Sequence, residues 1–126
     1  MKILMLGRQL ELGHYRAEFL QSYGIHVIFP ESKQEALSAV QAGGYDAILL
    51  SYTLSNETIQ ELVRLIEQYC PDCPLIAIMQ QGNKLAFKPA ETVLDTEPPK
   101  MLLEAIKRVQ VAYFKKEKSK FPIARK

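Results

Sequence analysis

Short apolar runs alternate with stretches whose apolar residues recur every three or four positions. Lys2 to Leu6 reads as a first strand. Leu12, Tyr15, Phe19, Leu20 and Tyr23 then repeat at helical spacing and stop at Gly24. Ile25 to Phe29 is a second short strand, and Ser32 with Glu35 three residues on signals a capping box. The helix it opens carries Ala36, Leu37 and Val40 on one face and ends at Gly43-Gly44. Asp46 to Ser51 encloses a continuous apolar run, Ala47 to Leu50, as expected of a strand buried on both faces. Ile59, Leu62, Val63 and Ile66 predict the next helix, with Asn56 as its cap. Leu75 to Met79 is a fourth strand, Val93-Leu94 a very short fifth. A last helix after Pro98 turns Met101, Leu102, Ala105, Ile106 and Val109 inward. Between Gln80 and Thr92 the pattern is irregular, and Pro89 interrupts any helix begun at Asn83.

Five strands alternating with helices predict an α/β fold: a doubly wound, five-stranded parallel sheet in the flavodoxin-like order 2-1-3-4-5. A chain of 126 residues is one domain's length and buries a core without staples. No apolar run reaches the roughly 20 residues needed to span a bilayer. With a strand beginning straight after Met1-Lys2 and no signal-peptide pattern, cytoplasmic residence without membrane contact is the expectation.

Charge divides the chain. Residues 1–112 hold 10 basic and 13 acidic side chains, net −3; residues 113–126 hold 6 basic and 1 acidic, net +5. The division predicts a domain over 1–112 followed by a basic helix extension and tail over 113–126. Cys70 and Cys73 have the spacing of a redox pair or half a zinc site. Yet Cys70 ends a helix instead of beginning one, and no second cysteine pair exists. A turn around Pro71-Asp72 is the simpler reading. His14 and His26 offer no acid–base constellation, so neither catalysis, metal nor cofactor is expected.

The carboxyl ends of strands in such a sheet converge on one crevice. Here they deliver Gly7 and Arg8, Ser51, Met79, and Glu97 before a Pro-Pro pair. Lys2-Ile3-Leu4, Asp46 to Leu50, Pro74 to Ile78 and a residue-Pro step before the last helix stand in an order that resembles the receiver domain of bacterial two-component response regulators, over nearly all of residues 1–112. The resemblance places the magnesium-holding acidic pair on Gly7 and Arg8, with Gln9 nearby. It places the phosphoryl-accepting aspartate on Ser51, the switch Ser or Thr on Met79 and the lysine on Glu97. Every one departs from the family pattern; only Pro98 is kept, and the resemblance implies a cis Glu97–Pro98 bond.

Aspartyl phosphorylation needs a carboxylate nucleophile, a hard cation on oxygen ligands and a positive group for the phosphoryl oxygens. None of these positions supplies them. An Arg8–Glu97 ion pair across the crevice, reversing the family's acid–lysine polarity, is one expected replacement, and two separate solvent-facing side chains are the alternative. The 18 positions from Met79 to Glu97 are fewer than the family has, implying a truncated or partly unwound fourth helix. Tyr45, Tyr52 and Phe87 are contact aromatics or core side chains.

The expected function is that of a pseudo-receiver, a phosphorylation-independent domain regulating or assembling through protein–protein contacts, with self-association open. The alternative is nucleic-acid or anionic-surface binding by Lys115, Lys116, Lys118, Lys120, Arg125 and Lys126, beside Tyr113, Phe114 and Phe121. Against it, the rest of the chain is acidic and holds no recognition module, and cations also suit the end of a helix.

Overall fold

Ala47–Ser51 is the middle strand of a five-stranded parallel sheet, and each of its residues is buried. The computed structural model to which it belongs describes residues 1–8, 10–82, 84–85 and 87–119, with backbone alone for Leu10 and 113–119. Gln9, Asn83, Lys120, Phe121, Arg125 and Lys126 lie outside the described residues, as do the side chains of Tyr113, Phe114, Lys115, Lys116 and Lys118.

The elements are β1 (Lys2–Leu6), α1 (Leu10–Gln21), β2 (His26–Ile28), α2 (Lys33–Ala42), β3 (Ala47–Ser51), α3 (Asn56–Tyr69), β4 (Leu75–Met79), β5 (Glu91–Leu94) and α4 (Pro99–Ser119). The sheet order is β2-β1-β3-β4-β5, every pair parallel, in agreement with the expected topology. Ile3 pairs with Ala47 in β1–β3, and Ile48 with Leu75 in β3–β4.

Alternation along each strand splits the core in two. Ile3, Met5, Leu49, Ile76, Ile78 and Val93 join Leu20 of α1 and Leu102, Ile106 and Val109 of α4 in one cluster. Leu4, Leu6, Ile48 and Leu50 join Val40 of α2 and Leu62 and Ile66 of α3 in the other. Each buried leucine or isoleucine adds about 1.5–3 kcal/mol by leaving water.

Local chemistry sets the boundaries. Ser32 caps α2 as the sequence predicts, its hydroxyl accepting the Glu35 N–H at 3.1 Å. The cap of α3 is Ser55, not Asn56: Ser55 has extended backbone and its hydroxyl accepts the Thr58 N–H at 3.2 Å, while Asn56 is already helical. β2 is shorter than the apolar run suggests, and β5 is longer, beginning at Glu91. Gly13 lets the ring of Phe29 lie against α1, for a methyl there would overlap it. Phe29 also meets His14 edge-on, centroids 5.2 Å apart.

Between β4 and β5 no helix occurs among the described residues. The short, proline-interrupted link crosses without one, and Phe87 packs against the α2–α3 side of the core. Tyr45 packs on that side too, and Tyr52 on the other. No cis peptide bond occurs among the described residues, so Glu97–Pro98 is trans, contrary to the expectation from resemblance.

Candidate functional site

The ends of β1 and β3 meet at a point closed by their own side chains. Gly7 is small enough to let them approach, since a Cβ there would sit 3.2 Å from Ser51 Cβ and 3.3 Å from Thr53 Oγ1. The Arg8 N–H donates to Thr53 Oγ1 at 2.8 Å. Thr53 in turn donates to Ser51 Oγ twice, from its hydroxyl at 3.1 Å and its N–H at 3.3 Å. Ser51 is 3% exposed. The result is a short relay running from the backbone after β1 to the buried serine. Among the described residues no buried side-chain nitrogen or oxygen lacks a partner.

Met79 and Glu97 complete the crevice without chemistry. Met79, at the end of β4, is 8% exposed and offers only a thioether. Glu97 folds back on β5, its Oε1 accepting the Leu94 N–H at 2.8 Å. This corrects the expected Arg8–Glu97 pair. The ion pairs among the described residues are His14–Glu31, Lys33–Glu61 and Arg108–Glu91. A backbone donor three residues away is a cheaper partner than a guanidinium across the crevice, because little side-chain freedom is lost. Arg8 lines a cleft of about 370 Å³ with Glu31, Ser32, Lys33 and Ser55, while Glu97 lines a separate one of about 220 Å³ with Tyr15, Arg16 and Asp95.

Sequence reasoning missed the polar groups beside these positions. Tyr52 follows Ser51, and its phenol feels the charge of Asp95, which follows β5. Burial pushes the phenol above its usual range; the neighbouring Asp95 carboxylate pushes the same way, while Arg16 opposes. Burial pulls the Arg16 guanidinium down, with Tyr52 and Asp95 resisting. Arg16 was visible as the one cation among Leu12, Phe19 and Tyr23 on a flank of α1.

No protein-family model matches the sequence, and no curated protein matches it. Solved structures do match in shape. The receiver domain of the sensor histidine kinase PA1611 from Pseudomonas aeruginosa, with magnesium in its active-site cleft, aligns at a TM-score of 0.71 and 20% identity, over 86% of this chain and 96% of that one. A CheY-like receiver domain protein from Methanospirillum hungatei aligns at 0.74 and 16%, over 91% and 97%. NtrX from Brucella abortus, in complex with ATP, aligns at 0.78 and 16% over 94% of this chain, which spans 28% of that longer protein. The chain has the receiver fold.

The residues on which the resemblance places the phosphorylation site, Gly7, Arg8 and Ser51, do not fit magnesium. A hard cation takes several oxygen ligands, commonly carboxylates. Gly7 has no side chain, Arg8 is a cation, and the Ser51 hydroxyl is engaged by Thr53. Among the described residues, no three His, Cys, Asp or Glu side chains group closely enough to hold a metal ion, and no helix is long and apolar enough to cross a membrane.

The cysteines form the turn read from the sequence, the Cys73 N–H donating to Cys70 O at 3.1 Å. Their thiols donate to backbone carbonyls, Cys70 to Val40 O at 3.4 Å and Cys73 to Tyr45 O at 3.3 Å. Burial first, then Cys70 and Asp46, pushes the Cys73 thiol up to about 12, and burial raises Cys70. The thiolate is the reactive form. Alkylation at pH 8 is therefore expected to run roughly 100-fold slower in the native protein than in urea. Equal rates would show the thiols to be open. A raised acid is neutral when folded, so its contribution is intact below pH 9.0 and is lost as pH rises toward 12. Urea midpoints should fall across that window.

Proposed function

We propose that this chain is a phosphorylation-independent receiver-like domain, a non-catalytic module that acts in signalling or regulation by contacting another protein. The observation that carries the reading is the engaged hydroxyl of Ser51, 3% exposed and bound twice by Thr53 where the resemblance puts a phosphoryl-accepting carboxylate. With Gly7 and Arg8 in place of acids and Glu97 in place of lysine, what remains of the receiver is its shape. A fixed shape recognises partners through its surface, without a covalent switch.

Incubation with a small-molecule phosphodonor and Mg²⁺ is expected to leave the intact mass unchanged, while an ordinary receiver treated alongside gains a phosphoryl group. A stoichiometric, Mg²⁺-dependent adduct on a carboxylate in the crevice would overturn the reading. Affinity capture with the full chain then addresses the partner.

The charge division favours a second reading, that the basic segment over 113–126 binds nucleic acid or another polyanion. Its net +5 against −3 for the rest is the supporting observation. Binding of this kind weakens steeply with salt. Substituting Lys115, Lys116 and Lys118 with Gln should then abolish it; affinity unchanged between low and high salt would count against it.

A further inference from the structure

We propose that the cleft beside Arg8 binds a small organic anion, an apolar body ending in a carboxylate or phosphate group. The cleft lies outside the carboxyl ends of three strands. Gly7 and Arg8 line it after β1, Pro30 and Ser32 after β2, and Leu54 and Ser55 after β3. In the order β2-β1-β3-β4-β5, the chain leaves β1 toward one edge of the sheet and leaves β3 toward the other. Open α/β sheets hold their ligands where such connections diverge. The volume, about 370 Å³, falls within the range of small-molecule sites.

The lining sorts by chemistry. Leu6, Ala36 and Leu62 belong to the core beneath α2 and α3 and give the cleft an apolar floor, which Leu54 extends. Three charged side chains line it, and two are engaged elsewhere. Lys33 Nζ lies 2.9 Å from Glu61 Oε1, and Glu31 Oε2 lies 3.5 Å from His14 Nε2. Arg8 makes no ion pair among the described residues, so its guanidinium is the charge left for a ligand. Its planar fork suits the two oxygens of a carboxylate or phosphate. The same cleft holds a spare hydroxyl donor. The Ser55 hydroxyl accepts the Thr58 N–H at 3.2 Å and donates to Thr58 Oγ1 at 2.9 Å. That leaves the Thr58 hydroxyl proton with no acceptor among the described residues. A cation, a hydroxyl donor and an apolar floor together select an amphiphilic anion over a bare ion or a neutral molecule. Binding at the cleft is independent of the reading above. That such a ligand supplies the input a phosphoryl group gives an ordinary receiver does rest on it.

The test uses the full chain and four probes: phenyl phosphate, benzoate, neutral benzamide, and inorganic phosphate as a headgroup alone. Amide NMR shifts are followed at Gly7, Ser32, Ser55 and Thr58, with His26, whose N–H donates to Met1 O at the opposite end of the sheet, as reference. At least one of the two organic anions is expected to give saturating shifts in the cleft while His26 holds. Benzamide and inorganic phosphate should each bind about 10-fold more weakly or worse. Arg8→Gln keeps the backbone N–H that donates to Thr53 and should bring the anion down to the level of benzamide. The proposal is overturned if neither anion saturates the cleft amides or if Arg8→Gln leaves the anion's affinity unchanged. It is equally overturned if benzamide or inorganic phosphate binds as tightly as the organic anions. Phosphodonor labelling of the unaltered chain tests the functional reading separately, so the two can fail independently.

Discussion

Ser51→Asp is expected to destabilise the fold by about 3 kcal/mol at neutral pH, even though the family pattern has aspartate at this position. The site gives the carboxylate no cation ligand to share. Ser51 is 3% exposed, its hydroxyl lies 3.1 Å from Thr53 Oγ1, and its Cβ would be only 3.2 Å from a methyl placed on Gly7. The penalty stays far below the tens of kcal/mol of an isolated buried ion, because the Thr53 N–H and hydroxyl already donate there. Ser51→Ala removes only the acceptor, at about 1–2 kcal/mol. Burial raises a carboxyl's pKa, so the loss is full above that raised value and shrinks as pH falls through it. Urea unfolding at pH 5 and pH 8 gives the comparison. A Ser51→Asp protein as stable as wild type at both pH values would mean that the crevice still accommodates a carboxylate.

Ile106→Ala is expected to cost about 3–4 kcal/mol, and Val111→Ala no more than about 0.5. Ile106 is 0% exposed and packs within the cluster between α1, α4 and the sheet, whereas Val111 is 56% exposed one turn beyond it. Val109 is the last buried residue of α4 among those whose side chains are described, although the helix runs on to Ser119. Comparable losses at both positions, read from chemical denaturation, would mean that the extension is packed as tightly as the body.

The architecture was legible because single residues carried unambiguous signals. A fully apolar run from Ala47 to Leu50 fits a central parallel strand, and Ser32 with Glu35 marks the start of α2 to the residue. Boundaries failed where two neighbours compete for one role, as Ser55 and Asn56 do at the cap of α3. The site was legible as a set of positions and misread as a set of contacts. Strand ends point Arg8 and Glu97 into a shared region, but side-chain direction is decided by local donors, and Leu94 N–H holds Glu97. Thr53, which closes the crevice, escaped notice because a threonine two residues past a strand carries no chemical signature.

The placement of β1 inside the sheet has a consequence for biogenesis. Its residues Ile3 and Met5 leave the ribosome well before the α4 residues that finish covering their side, Leu102, Ile106 and Val109. Until then this flank of the nascent sheet stays wet and adhesive, while the Leu4–Leu6 flank has already been roofed by α2 and α3. A stalled or prematurely terminated product lacking α4 is thus a natural client for chaperones.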